Sequence, residues 1–274
     1  MSARIISICN QKGGVGKTTT TVNLAMALST LSKDVLVLDM DPQANASDTL
    51  GIEPYEAKFT MYDVLKDRKK IISTSWTKTR VNMIGIVPSH IKLAAAEREL
   101  YGSVAAVMSL KMKLDEVTLN SFDYILIDCP PSLGLLTINA LVASHGVIIP
   151  MEADSYYALQ GMDSLEQTIA DVQETLNPNL VIEGILITMF DNRTSICKAM
   201  EAEIRKYFVD EHVFKAVIRR NTALNQATLN RQTIFEFDRR AYGKQDYLRL
   251  AKEILNEPFA AEEEDEDEDG TVIR

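Results

Sequence analysis

The sequence is poor in cysteine and contains no apolar run long enough to cross a membrane. Its three cysteines, Cys9, Cys129 and Cys197, lie far apart and form no C-x-x-C pair, which argues against a disulfide framework and a zinc site. No apolar run approaches ~20 residues, and the first residues lead into an apolar segment without a basic leader. We therefore expect a protein of the reducing cytoplasm that has no membrane partner.

The negative charge of the chain is concentrated near its end. The net charge is −10, and residues 262–269 are an unbroken run of eight acids. Because this run accounts for most of the net charge, the composition does not exclude nucleic acid as a partner. With 46% hydrophobic residues, the 274-residue chain can bury one large core. We expect one domain over residues 1–257 and a disordered acidic tail over residues 258–274, which is too charged to pack.

A glycine-rich loop at residues 12–19 has the sequence K-G-G-V-G-K-T-T. It follows an apolar run at 5–9 and precedes an apolar-periodic run at 22–31, so strand, loop and helix are predicted in that order. Glycines let backbone N–H groups surround a polyphosphate, while Lys17 can reach its β and γ oxygens and the Thr18 hydroxyl can bind Mg²⁺. The residues predicted to bind the nucleotide are Lys12, Gly13, Gly14, Val15, Gly16, Lys17, Thr18 and Thr19. The sequence thus predicts a site for ATP and Mg²⁺.

The loop departs from the general pattern G-x-x-x-x-G-K-[ST] at one position. That pattern has its first glycine where this sequence has Gln11. A second lysine, Lys12, stands beside it. Because Lys17 suffices for the β and γ oxygens, Lys12 needs another role.

Two further apolar runs end in aspartate. Residues 35–38 are followed by Asp39 and Asp41, and residues 124–127 by Asp128. Because ligands of open parallel sheets collect at the carboxyl ends of strands, we expect these acids beside the phosphate loop. Asp128 is interpreted as the Walker B acid that holds Mg²⁺ through a water, and Asp41 is a second candidate for such a contact. The alternative for Asp39 and Asp41 is a structural role in a turn, which the following proline favours.

The rest of the chain alternates between apolar runs typical of strands and periodic runs typical of helices. Strands are predicted at residues 83–87, 146–150, 182–189 and 213–218. Helices are predicted at residues 92–100, 104–117, 162–176, 195–208 and 240–256, and another begins within 61–65. This alternation predicts an α/β fold with a doubly wound, mainly parallel sheet.

The loop and several later strings resemble the deviant Walker A P-loop ATPases, and among them the compact ParA/Soj partition proteins. The strings are D-x-D-P-Q at 39–43, D-C-P-P-S-L-G at 128–134, T-M-F-D-N-R-T at 188–194, R-R-N at 219–221 and Y-x-x-L-A-K-E-I-L at 247–255. The resemblance covers residues 5–255 and implies the P-loop NTPase fold of that family.

The same resemblance implies roles for individual residues. Lys12 matches the signature lysine, which crosses a dimer interface to the partner's phosphates. Asp41 matches the acid that orients the hydrolytic water. Together with Lys17, these residues are the implied catalytic set of an ATPase that is weak without its partner.

The resemblance further implies a DNA partition ATPase. In that family an ATP-bound homodimer binds nonspecific DNA in the nucleoid and is released by hydrolysis, which a cargo-bound ParB-like adaptor stimulates. We expect no sequence-specific operator binding, because no N-terminal extension precedes the first strand. We expect no MinD-like membrane attachment, because an anionic bilayer would repel the acidic residues near the end. The alternative is a ParA-like ATPase that positions a protein cluster instead of DNA cargo.

Binding of nonspecific DNA requires cations that neutralise phosphates. The predicted DNA-binding residues are Arg193, Lys198, Arg219, Arg220 and Arg231. Arg193 matches a DNA-contacting arginine of Soj-like proteins, whereas Ala223 occupies a position that is usually basic there. A solvated helix surface is the alternative interpretation of these cations. The acidic run at 262–269 is either a solubilising tail or an imitation of a phosphate backbone that competes with DNA.

Overall fold

The computed structural model of the protein describes residues 2–67, 69–100, 105–154 and 158–257, so the predicted tail at 258–274 lies outside the described residues. Within these residues the strands are β1 (Arg4–Ile8), β2 (Val35–Asp39), β3 (Thr77–Lys78), β4 (Ile84–Val87), β5 (Tyr124–Asp128), β6 (Gly146–Glu152) and β7 (Val181–Thr188). The helices are α1 (Lys17–Thr30), α2 (Asn45–Thr49), α3 (Met61–Lys66), α4 (Leu93–Leu100), α5 (Glu116–Ser121), α6 (Leu135–Ala143), α7 (Met162–Thr175), α8 (Ser195–Tyr207), α9 (Thr222–Leu229), α10 (Ile234–Phe237) and α11 (Tyr242–Ile254).

The strands form one sheet in the order β3-β4-β2-β5-β1-β6-β7. In this spatial order, each strand from β4 across to β7 is parallel to its neighbour, whereas β3 pairs antiparallel with β4. Buried clusters cover both faces: Leu93 and Leu165 belong to one, Leu24 and Leu250 to the other. The predicted α/β fold with a doubly wound, mainly parallel sheet is therefore confirmed.

The central strands are apolar along their whole length because both of their faces are covered. Every residue of β2 is buried, as are the last four residues of β5. Their register pairs Asp39 with Asp128, and β1 pairs Ile8 with Asp128. The carboxyl ends of β1, β2 and β5 therefore meet at one place on the sheet edge.

The C-terminal helix α11 packs along α1. Thr20 Oγ1 lies 3.3 Å from the hydroxyl of Tyr247, which is buried. Asn23 accepts the Ile234 amide at Oδ1, at 2.8 Å. The last third of the chain is thus attached to the helix that begins at the phosphate loop.

The helix predicted at 104–117 is wrong over most of its length. Short 3₁₀ turns occupy Ala106–Met108 and Lys111–Lys113, and α5 begins only at Glu116. The side chain of Asn139 accepts the Leu110 amide at 3.0 Å and donates to the Ala106 carbonyl at 2.8 Å. In a continuous helix these two backbone groups would bond to other backbone groups of the same helix. Because they bond to the buried side chain of Asn139 instead, the helix is interrupted.

The strand predicted at 213–218 is also wrong, since the segment forms one isolated bridge with β7, between Val213 and Ile185, and a second bridge joins Arg219, just after the segment, to Phe190. The amides of Lys215 and Ala216 donate to the carboxylate of Glu253 instead of to a neighbouring strand.

Helices α6 and α9 were not predicted from the sequence. Nearly all of α6 is buried, so it shows no polar face, whereas α9 is largely polar.

No helix in the described parts of the chain is both long and apolar enough to cross a membrane.

We expect Gly184→Ala to destabilise the fold by about 1–3 kcal/mol, because overpacking of a core costs that much. A Cβ at Gly184 in β7 would lie 2.5 Å from Cε2 of the buried Phe214 ring. Urea unfolding followed by circular dichroism measures the change. Gly134→Ala is the matched control, because the flexible end of Glu97 is the only group that would crowd its new methyl group, while Ser132 Oγ stays at ordinary contact distance. Equal stability of the two variants would contradict the proposed packing constraint.

Candidate functional site

The loop between β1 and α1 is held by polar side chains that precede the glycines. Asn10 donates from Nδ2 to the Pro150 carbonyl at 2.8 Å and accepts the Lys12 amide at Oδ1, at 2.9 Å. Gln11 donates from Nε2 to the Gly161 carbonyl at 2.9 Å. Sequence reasoning did not assign roles to Asn10 and Gln11, although their place directly before the loop is the signal. Gln11, at the position where the general pattern has glycine, ties the loop to the start of α7.

The glycines of the loop include two in the left-handed region. Gly14 has φ of 81° and Gly16 has φ of 90°. Residues with a side chain are strained at such positive φ values, whereas glycine adopts them readily. The Thr188 hydroxyl, at the end of β7, donates to the Val15 carbonyl at 3.0 Å. Thr188 begins the string at 188–194, but its contact with the loop was not predicted, because the two residues are 173 positions apart in the sequence.

Lys17 is buried at the start of α1. Its ammonium donates to the Lys12 carbonyl at 2.9 Å, and burial lowers the pKa of the Lys17 ammonium despite the opposing charge of Asp128. Burial removes the ammonium from water, and one neutral carbonyl does not make up for the lost hydration of its charge. The ammonium is therefore suited to an anionic ligand in the loop.

Asp128 is fully buried at the end of β5 and is held by two hydroxyls of α1. Thr18 Oγ1 donates to it at 2.8 Å and Thr21 Oγ1 at 3.1 Å. Burial, reinforced by the Asp39 carboxylate, raises the pKa of Asp128 well above its usual range. The pairing of a threonine hydroxyl with a carboxylate supplies the hard oxygen donors that fit Mg²⁺, which binds few protein groups and keeps several waters.

The two acids after β2 have different environments. Asp39 is fully buried; its Oδ2 accepts the Ser47 amide at 2.9 Å and the Ser47 hydroxyl at 2.6 Å, and its Oδ1 accepts the Asp41 amide at 3.2 Å. Burial raises the pKa of Asp39 to about 7. Asp41 accepts the Gln43 amide of its own turn at 2.9 Å. Asp39 therefore fixes the turn, and Asp41 is the acid with free acceptor capacity.

Lys12 forms an ion pair with Glu152 at the end of β6. The Lys12 side chain is 35% exposed and Glu152 is 14% exposed. The predicted signature lysine is thus held by an acid of its own chain in this structure.

Cys9 and Cys129, which lie far apart in the sequence, are side by side at the ends of β1 and β5. The Cys129 amide donates to the Ile8 carbonyl at 3.3 Å, and both cysteines are fully buried. The contact with Cys9, together with burial, raises the pKa of the Cys129 thiol well above its usual range. Cys129 is therefore a small buried residue whose thiol is inert packing.

A cavity of about 180 Å³ opens beside the start of α1. Its lining combines Gly16 and Thr19 of the loop region with Ile218, Asn221 and Leu224 of the C-terminal third. The cavity therefore lies between the phosphate loop and a surface that is mainly apolar and carries amide groups.

The five cations predicted to bind DNA do not form one free surface, because four of them pair with acids. Arg193 is 84% exposed and forms a two-point contact with Asp191, whose pKa it lowers to about 2. The other pairs are Arg219 with Asp246, Arg220 with Asp154, and Arg231 with Asp48. Lys198 is exposed on α8.

Arg219 is the most strongly anchored of these arginines. Its guanidinium binds buried Asp246 at 2.6 and 3.0 Å and lies 4.5 Å from the ring centre of Tyr242. Its removal would leave a buried carboxylate without its cation, which is costly. Arg219 therefore has a structural role beside the cavity.

The chain matches the model of an "AAA domain" family over residues 3–182. It is 47% identical over 251 residues to "Sporulation initiation inhibitor protein Soj" of Bacillus subtilis, covering 92% of this chain and 98% of that protein. It is 37% identical over 254 residues to "Chromosome partitioning protein ParA" of Caulobacter vibrioides, covering 92% and 94%. Among solved structures, cobyrinic acid a,c-diamide synthase from Mycobacterium smegmatis, with bound ATP analog and magnesium, is 31% identical with a TM-score of 0.80, covering 93% and 95%.

We expect Ser47→Ala to destabilise the fold by about 1–3 kcal/mol, because buried Asp39 loses a hydroxyl donor. The loss should grow with pH. In the wild type, Asp39 keeps its proton in the folded state between its unfolded pKa and about 7, so its contribution to stability falls as pH rises through that window. Without the Ser47 hydroxyl, the folded pKa is higher still and the fall continues above pH ~7.

Chemical denaturation at a series of pH values measures this difference. Ser121→Ala is the matched control, because the Ser121 hydroxyl donates only to the Val117 carbonyl on the surface. A pH-independent effect of Ser47→Ala would show that the hydroxyl does not stabilise the ionised Asp39.

Proposed function

Because the chain belongs to the ParA/Soj family of deviant Walker A P-loop ATPases, we propose that it is an ATP-dependent partition ATPase. In this proposal an ATP-bound homodimer binds DNA without sequence preference and leaves it when ATP is hydrolysed. The observation that supports this most is the loop in which Lys12 and Lys17 adjoin the edge that carries Asp41 and Asp128.

The proposed nucleotide site uses the loop as it stands. Lys17 exchanges the Lys12 carbonyl for the β and γ oxygens of ATP, because a buried ammonium gains more from an anion than from a neutral acceptor. The backbone N–H groups of residues 13–19 surround the phosphates. Thr18 would hold Mg²⁺ and Asp128 would hold it through a water, and the metal would neutralise phosphate charge.

The base of the nucleotide occupies the cavity beside Gly16 and Thr19 in this proposal. Ile218 and Leu224 offer an apolar surface to a flat ring, and the Asn221 amide offers hydrogen bonds. The position at the start of α1 supports the assignment, since the phosphates bind at the same helix start.

Asp41 orients the hydrolytic water in the proposed mechanism. Asp39 is a poorer candidate, because both of its oxygens already accept hydrogen bonds from Ser47 and from the Asp41 amide. Asp41 lies at the end of the same strand and its described hydrogen bond occupies one oxygen. Its other oxygen can accept a proton of water.

Lys12 acts in trans in the proposed dimer. In this structure Lys12 pairs with the carboxylate of Glu152. The triphosphate of a second protomer carries more negative charge, so it can displace Glu152 as the partner of Lys12. Dimerisation is thereby coupled to the presence of the γ-phosphate.

We expect Lys12→Ala to retain ATP binding through Lys17 and to lose ATP-dependent dimerisation, with turnover reduced about 10²-fold or more. Light scattering with ATP and with ADP measures the dimer, and phosphate release measures turnover. Lys111→Ala, which removes an exposed lysine elsewhere, is the matched control. An ATP-dependent dimer of the Lys12→Ala variant at wild-type affinity would exclude the role in trans.

DNA binding is proposed to use the exposed cations at the start of α8. Arg193 lies just before α8, is 84% exposed and can exchange Asp191 for a phosphate, and Lys198 lies in the first turn of the helix. Arg220 and Arg231 are more than half exposed and would have to leave Asp154 and Asp48. Arg219 is better explained as the partner of buried Asp246.

The proposed setting is the nucleoid of the cytoplasm, where a ParB-like adaptor on the cargo stimulates hydrolysis. The ion pairs of the arginines favour one alternative: a ParA-like ATPase that positions a protein cluster and does not use these cations for DNA. Retention on DNA distinguishes the two functions.

We expect the wild type to bind random-sequence DNA with ATP and not with ADP. Arg193→Gln and Lys198→Gln should each weaken binding to all sequences and reduce the slope of log affinity against log salt by about one unit. Fluorescence anisotropy across a salt series measures both. Lys206→Gln, at the far end of the same helix, is the charge-matched control. Absence of ATP-dependent binding at low salt would favour the protein-positioning alternative.

A further inference from the structure

Helix α11 directs both of its acids inward and leaves cations on its outer surface. Asp246 is buried against Arg219, and Glu253 accepts the amides of Lys215 and Ala216. Arg249 and Lys252 are three residues apart and lie on the exposed side of the helix. The outer surface of α11 is therefore positively charged along its length.

These residues extend a set that begins just before the helix. We define the α11 cation stripe as Arg239, Arg240, Lys244, Arg249 and Lys252. Each is exposed or half-buried, and none of the five forms an ion pair with an acid within residues 2–67, 69–100, 105–154 and 158–257. In this respect the stripe differs from the four paired arginines that were predicted to bind DNA. It is a cationic surface whose counter-charge is not supplied by the described domain.

The acidic run of the chain begins close to one end of this stripe. Helix α11 ends at Ile254, and Glu257 lies near the start of β5, where its charge acts on Tyr124. Only residues 258–261 separate Glu257 from the eight acids at 262–269. The run therefore starts within a short connection of Lys252.

The acidic run is long enough to follow the stripe. Along the helix axis, Lys252 and Tyr242 are separated by ~15 Å at about 1.5 Å per residue. Eight extended residues cover ~26 Å, at about 3.3 Å per residue. A chain that turns back after 257 can thus place its acids along the stripe as far as Arg240 and Arg239.

We propose that the acidic run at 262–269 binds the α11 cation stripe of the same chain, and that the stripe extends the DNA contact beyond the start of α8, so that the run competes there with the phosphate backbone of DNA. The competition rests on the proposed DNA binding, whereas the contact between tail and stripe does not. A short tether gives the run an effective concentration of the order of millimolar, so weak ionic contacts suffice for occupancy. Screening shortens the Debye length from ~30 Å at 0.01 M salt to ~3 Å at 1 M, so the contact is strongest at low salt.

The contact itself is tested in the full-length protein without DNA. A zero-length carbodiimide links carboxylates to lysine amines that they touch, and mass spectrometry identifies the pairs. We expect links from 262–269 to Lys244 and Lys252 within one chain at ~25 mM salt and their loss at ~500 mM salt. Lys198, an exposed lysine outside the stripe, is the internal control. Absence of stripe links, links equally frequent at Lys198, or links only between chains would overturn the proposal.

The competition is tested with charge variants that keep the chain length. Amide replacement of all eight acids, each Glu→Gln or Asp→Asn, should tighten binding of random-sequence DNA about ten-fold at ~50 mM salt and leave it unchanged at high salt. In a background of Arg249→Gln and Lys252→Gln, the same replacement should have a smaller effect, as expected for coupled sites. ATP turnover without DNA should stay at the wild-type rate.

The two measurements separate the two proposals. If the cross-links form but no variant binds DNA with ATP, the proposed function fails while the tail contact stands. If the wild type binds DNA and tail neutralisation changes neither affinity nor salt slope, the competition is overturned and the run only solubilises the protein.

Discussion

The register of three adjacent parallel strands is the constraint on which the site depends. β2, β5 and β1 end together, so that Asp39, Asp128 and the start of the phosphate loop share one buried corner of the sheet. Little water reaches this corner, and burial shifts the pKa of Asp128 upward and that of Lys17 downward. Both shifts disfavour the charged forms. A ligand that brings a divalent cation and a polyphosphate together compensates both groups at once.

Attachment of the last third of the chain to α1 extends this constraint. The family match ends at residue 182, yet Tyr247 and Ile234 contact the helix that begins at the loop. The cavity beside Thr19 is completed by residues after 217. Part of the candidate site is therefore built from sequence that lies outside the matched region.

Local signals in the sequence predicted the sheet and the phosphate loop, because each depends on short patterns. The apolar runs before Asp39 and Asp128 were sufficient to place both acids at strand ends. Long-range side-chain contacts were not predictable in this way. Asn139 interrupts the helix expected at 104–117, and Asp246 neutralises Arg219 from 27 residues away. A count of arginines could not distinguish those that bind acids of the same domain from those that face solvent.

The direction of α11 decides where the two ends of the domain lie. β1 begins at Arg4 beside Tyr124, and Glu257, three residues after the end of α11, lies near the same tyrosine. Both ends therefore leave from the edge where the parallel strands start, opposite the phosphate loop. A fluorescent protein or affinity tag fused before β1 would therefore project away from the nucleotide edge and leave the surface around Lys12 open to a second protomer.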